Sequence, residues 1–111
     1  MGAHEICKLD EYYQIQLSPK LQKKLGWEQG IRATARINKP KHTIEIRAKE
    51  DGELLIDDLS KITLNEKICD ELGWIPGKFA LFVAIKRSLI RRPAIKLTSL
   101  CYEMVKYGIF M

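Results

Sequence analysis

The sequence has few cysteines and no long hydrophobic run. Its three cysteines, Cys7, Cys69 and Cys101, are odd in number and far apart, so we expect neither a disulfide framework nor a cysteine-based zinc site. A reducing, cytoplasmic environment fits this usage best. The longest apolar run, residues 79–85, has the length of a strand and is too short to cross a bilayer. We therefore expect no membrane association.

Recognisable catalytic motifs are also missing. The sequence contains no nucleophile–base set, no phosphate-binding glycine loop and no HExxH helix. Asp57 and Asp58 are adjacent acids, and Asp10 and Glu11 form a similar pair. Such paired carboxylates could perform acid–base chemistry or bind a metal. Their repetition favours a structural turn that caps backbone amides. We expect no enzyme, no cofactor and no metal site, and an enzyme is the weakest of three functional hypotheses.

Length and composition indicate one ordinary soluble domain. The chain has 111 residues, of which 46% are apolar and 30% charged, and these values are typical of a compact domain. The net charge of +5 and the pI of about 9.2 are modest, and they prove little until the positions of the charges are considered.

The chain contains an internal repeat. Residues 14–30 align without a gap with residues 61–77, and seven of the 17 positions are identical, where chance would give about one. We therefore predict a single domain over residues 1–111. It is divided into repeat one (residues 6–50), repeat two (residues 53–99) and a C-terminal tail (residues 100–111).

Each repeat begins with the signature of a strand followed by a capped helix. Ile15 and Leu17 alternate with polar residues, as in a half-buried strand. Ser18 is a good helix N-cap, and Gly26 can adopt the left-handed conformation that ends a helix. Trp27 should then pack back on the last turn, although an exposed Trp could instead stack on bases. The corresponding residues of repeat two are Ile62, Leu64, Asn65, Gly73 and Trp74.

A hairpin follows each helix. In repeat one, apolar and polar residues alternate over residues 31–37, which predicts a strand. A turn at residues 38–41 then leads to a returning strand at residues 43–48. In repeat two, residues 79–85 are apolar on both faces, which indicates burial on both sides. A longer turn at residues 86–93 then leads to a strand at residues 94–98. Short strands are also predicted ahead of each helix, at residues 6–10 and 54–57.

The hairpins concentrate positive charge. Residues 31–49 and 78–99 hold 12 of the 19 basic residues but one of the 14 acidic residues. Such segregation creates the local positive field that phosphate binding needs. Alternatively, these cations only keep exposed edge strands soluble. The nucleic-acid contacts that we predict from this charge pattern are Arg32, Arg36, Lys39, Lys41, Arg47, Lys86, Arg87, Arg91 and Arg92.

The motif resembles the AbrB/MazE/SpoVT family of swapped-hairpin barrels. It combines a strand, a capped helix, the Leu-Gly-Trp sequence and a spaced glycine, and it occurs at residues 15–30 and again at residues 62–77. The resemblance implies a mainly β (α+β) fold, a duplicated swapped-hairpin, double-psi-like barrel with one short helix per repeat. It also implies that Lys61, at the family's basic position before the second strand, contacts DNA. Gln14 occupies the same place in repeat one.

Family members usually build this barrel from two chains with one unit each. The resemblance implies that this chain carries both halves and forms a monomeric pseudo-dimer, or that two chains exchange halves in a homodimer. It also implies a non-enzymatic transcriptional regulator that contacts duplex DNA through its basic hairpins.

The C-terminal tail supports a second functional hypothesis. Apolar residues in the tail, residues 100–111, recur at helical spacing. They predict a short helix docked on the barrel, or an exposed segment that docks a partner. In the second case the chain is a protein-interaction module, such as an antitoxin-like or assembly subunit.

Overall fold

The structure, a computed structural model, describes residues 4–77, 80–86 and 93–99. In this part of the chain it has a mainly β, α+β fold with two short helices. The first half contains β1 (His4–Lys8), β2 (Gln14–Gln16), α1 (Pro19–Leu25), β3 (Arg32–Asn38) and β4 (Thr43–Ala48). The second half contains β5 (Leu54–Leu55), β6 (Lys61–Thr63), α2 (Glu66–Leu72), β7 (Ala80–Lys86) and β8 (Ala94–Ser99).

Six strands form a curled, antiparallel half-barrel, and two form a small second sheet. The order in the large sheet is β1-β7-β8-β4-β3-β5, and β2 pairs with β6 in the small one. The first strand of repeat one, β1, thus pairs with β7 of repeat two. Likewise, the first strand of repeat two, β5, pairs with β3 of repeat one. Each repeat therefore contributes its first strand to the hairpin of the other.

Hydrogen bonds between the repeats follow the same 47-residue offset. The amide of Gly30 donates to the carbonyl oxygen of Ile56 at 2.8 Å, and the amide of Gly77 donates to that of Leu9 at the same distance. In the small sheet, Ile15 lies opposite its own counterpart, Ile62. Equivalent residues thus make equivalent contacts across the junction of the two repeats.

The core lies against one face of the large sheet. Side chains alternate between the two faces of a strand, and the inward residues of the two central strands, β4 and β8, are fully buried: Ile44, Ile46, Ile95 and Leu97. Residues from β2, β6 and both helices complete the same hydrophobic cluster. Burial of this apolar surface is the main stabilising contribution to the fold.

The predicted caps of both helices are confirmed. The Ser18 hydroxyl accepts a hydrogen bond from the amide of Leu21 at 3.1 Å, and Gly26 is left-handed with φ of 72°. At α2, the Asn65 side chain accepts a hydrogen bond from the amide of Lys67, and Gly73 is left-handed with φ of 71°. Trp27 and Trp74 are only 4% and 2% exposed, which confirms their packing role and leaves neither ring available to stack on bases.

The first acid of each pair that precedes β2 and β6 has a structural role. Oδ1 of Asp10 accepts hydrogen bonds from the backbone amides two and four residues later, at 2.8 and 2.9 Å. Oδ1 of Asp57 accepts the equivalent two bonds, both at 2.9 Å. These carboxylates therefore hold tight turns, as the repetition of the motif predicts.

Several strand boundaries differ from the prediction, and β7 and β8 end one residue later than expected, at Lys86 and Ser99. The strand predicted at residues 6–10 lies at His4–Lys8, because Asp10 begins the carboxylate-capped turn. The strand predicted at residues 54–57 ends at Leu55 and continues only as a bridge between Ile56 and Ile62, since Asp57 opens the second such turn. The hairpin turn starts after Asn38, which is still paired with β4. The tail and Phe79 lie outside the described residues. Among the residues that the structure describes, no helix is long and apolar enough to cross a membrane.

Candidate nucleic-acid interface

The outward face of the first hairpin carries the predicted arginines. On β3, Arg32 and Arg36 share the face opposite the core because they are an even number of residues apart. On β4, Arg47 lies directly opposite Thr34, between the two β3 arginines. These three arginines therefore share one face of the sheet.

A strand of repeat two extends this face. Glu45 of β4 is paired with Arg36 of β3 on one side and with Lys96 of β8 on the other. Directly paired residues in an antiparallel sheet point to the same face. A row of charged residues therefore crosses three strands and joins the two repeats.

This face contains a cleft of about 650 Å³ that is rich in positive charge. Ala84 and Ile85 of β7 also line it. Five basic side chains and one acidic side chain line it, and we call it the basic cleft: Arg36, Lys39, Lys41, Glu45, Arg47 and Lys96. With one acid among five bases, the described lining carries a net charge of +4 and favours an anionic ligand.

The acid in the basic cleft is paired. Nε and Nη2 of Arg47 lie 2.6 and 2.5 Å from the same Glu45 oxygen, Oε1. The side chains are 35% exposed for Arg47 and 15% exposed for Glu45. The pair is thus partly shielded from solvent.

The structure brings together four of the predicted contact residues, Arg36, Lys39, Lys41 and Arg47. Arg32 shares the outward face but does not line the basic cleft, and its Nη1 donates to the carbonyl oxygen of Gly52 at 3.2 Å. Lys61 lies on the small sheet instead, where its Nζ is 4.0 Å from Oδ2 of Asp10.

The remaining four predicted contacts cannot be placed at the basic cleft. Arg87, Arg91 and Arg92 lie outside the described residues, as does the side chain of Lys86, whose backbone ends β7. The apolar tail, on which the protein-interaction hypothesis depends, also lies outside them. These assignments stay predictions.

Lys96 is a member of the basic cleft that the sequence-based prediction omitted. The alternation of Ile95, Lys96 and Leu97 already indicates that Lys96 points away from the core. What the sequence does not contain is a local signal that β8 pairs with β4, which is the contact that brings Lys96 to the first hairpin.

The described residues provide neither a metal-binding cluster nor a reactive thiol. No group of three or more His, Cys, Asp or Glu side chains within the described ranges is placed to hold a metal. Burial raises the pKa of Cys69 to about 11, and burial together with the nearby Glu5 carboxylate raises the pKa of Cys7 to about 12. Both side chains are therefore neutral thiols at pH 7 and poor nucleophiles.

The basic cleft is the feature of the described residues best suited to bind a ligand. It combines a concave shape, contributions from both repeats and charge of predominantly one sign. Comparisons of the chain with known protein families, with curated proteins and with solved structures find no match.

Proposed function

We propose that this protein is a non-enzymatic, DNA-binding regulator that contacts the phosphates of duplex DNA through the basic cleft. The observation that supports the proposal is the convergence of five cations from two repeats around one cleft. Phosphate contacts supply most of the affinity of proteins for DNA, and Lys and Arg are the residues that make them.

The position of each cation suits a different part of this contact. Lys39 and Lys41 lie in the turn of the first hairpin, where long side chains can follow a phosphate backbone. Arg36 and Arg47 rise from strands, which hold them more rigidly. An Arg on a β-ribbon can also make the bidentate contact to guanine that reads sequence in the major groove.

We further propose that the fold is a duplicated, swapped-hairpin barrel of the AbrB-like type, with one short helix per repeat. The exchange of β1 and β5 between the two repeats supports this interpretation. The strand order supports it as well, because β1-β7-β8 corresponds to β5-β3-β4 read from the opposite edge. One chain would then supply both halves of a pseudo-dimer.

The salt dependence of duplex binding tests the proposal. Fluorescence anisotropy of a labelled duplex of about 20 base pairs, titrated at several salt concentrations, should give a slope of log K against log salt of about −4 or steeper. Such a slope corresponds to roughly four or more phosphate contacts, which the five cations can provide. Absence of binding at low salt, despite the net charge of +5, would contradict the proposal.

A further inference from the structure

The one acid of the basic cleft lies at the centre of its positive charge. Glu45 occupies the middle pair of the β4–β8 ladder, opposite Lys96, and it faces Arg36 on the other side. Arg47 follows two residues later on the same strand and the same face. A ligand phosphate that approaches these cations therefore approaches the Glu45 carboxylate as well.

The contact between Glu45 and Arg47 occupies one donor edge of the guanidinium that could otherwise face a phosphate. Nε and Nη2 form one edge of the guanidinium fork; Nε donates to Oε1 of Glu45, and Nη2 lies within ion-pair distance of the same oxygen. That fork binds carboxylates and phosphates with the same geometry. In the free protein, the carboxylate therefore occupies the place of a phosphate oxygen.

We propose that Glu45 is an internal competitor for the ligand phosphate, which has to displace the carboxylate from Arg47 in order to bind. The inference rests on the proposed function, and it adds a means of selection. A single phosphate would have to replace the intramolecular contact by itself. A polyanion also engages Arg36, Lys96 and the hairpin lysines, so it has additional contacts with which to compete.

The variant Glu45→Gln tests this competition, with Glu71→Gln as the matched control. Both changes raise the net charge by one, but Glu71 is an exposed residue of α2 and does not line the basic cleft. We expect Glu45→Gln to bind a labelled duplex about five- to tenfold more tightly than the wild type, and Glu71→Gln to change affinity less than about twofold. Glu45→Thr, a neutral residue that favours strands, provides the same test should glutamine disturb the fold.

A double-mutant cycle locates the gain. Arg47→Gln, introduced into the Glu45→Gln protein, should remove most of the increased affinity, because the freed fork is the proposed source of that affinity. An increase that persists without Arg47 would overturn the inference.

The outcomes separate this inference from the proposed function. If the wild type binds duplex DNA but Glu45→Gln binds no more tightly than Glu71→Gln, the internal competitor is refuted and DNA binding stands. Inorganic tripolyphosphate serves as the second probe. If the wild type fails to bind DNA but Glu45→Gln binds tripolyphosphate more tightly than Glu71→Gln, the competitor stands and the DNA-binding role is refuted. If no variant binds either probe, both are refuted.

Discussion

A triple variant with Arg36, Lys39 and Lys41 changed to alanine should bind duplex DNA about 100-fold or more weakly than the wild type at about 100 mM salt. The three side chains line the basic cleft, and each lost phosphate contact removes the free energy of releasing about one counterion. The slope of log K against log salt should become less steep by about 2 to 3. Anisotropy titrations at several salt concentrations give both quantities.

A second triple variant controls for net charge. Lys20, Lys23 and Lys67 are exposed on the two helices and do not line the basic cleft. Changing them to alanine removes the same three charges, and alanine is well tolerated in helices. We expect a loss of affinity below about fivefold, since distant surface charges are largely screened. Equal losses in the two triple variants would show that net charge, and not the cleft, controls binding.

Gly52→Ala should be among the most destabilising single substitutions in this chain. A β-carbon at position 52 would lie 2.1 Å from the carbonyl oxygen of Ala33, and 2.4 and 2.8 Å from its carbonyl carbon and amide nitrogen. All three are backbone atoms of β3, which is paired on both sides. Relief of the clash requires the strand to move, and we expect a loss of about 3 kcal/mol or more in the free energy of unfolding.

Gly26→Ala is the matched control for this substitution. Gly26 has φ of 72°, and a β-carbon there would meet no atom within 4 Å. Its cost should therefore be only that of the left-handed backbone, about 1 to 2 kcal/mol. Chemical denaturation of the two variants and the wild type measures the difference. A Gly52→Ala protein as stable as Gly26→Ala would show that β3 and the segment at position 52 are not packed as closely as described.

The local elements of the fold can be predicted from the sequence because their signals lie within a few residues. Helix α1 begins after Ser18 and ends before Gly26, as the sequence pattern predicts, because a cap acts only on the adjacent turn. The predicted boundaries of β1 and β5 are wrong because the carboxylates of Asp10 and Asp57 accept hydrogen bonds from nearby backbone amides and form turns. The exchange of these strands between repeats is a long-range pairing, and no local pattern specifies it.

The candidate site likewise contains residues that are close in sequence and residues that only long-range pairing brings together. Arg36, Lys39, Lys41 and Arg47 belong to one hairpin, so the charge pattern of a short segment already groups them. Lys96 reaches them only through the β4–β8 ladder. Glu45 is the one acid of residues 31–49. Its contact with Arg47 depends on side-chain geometry, which the charge pattern of a sequence does not specify.

An NMR titration can identify the DNA-binding surface residue by residue. Amide signals of the uniformly ¹⁵N-labelled protein would be followed as a duplex of about 20 base pairs is added at low salt. We expect the largest changes at the amides of residues 36–39, 41–47 and 96, with small changes in α1 and α2. Changes concentrated in the helices or in the β2–β6 sheet, with residues 36–47 unaffected, would contradict the assignment of the basic cleft as the DNA-binding surface.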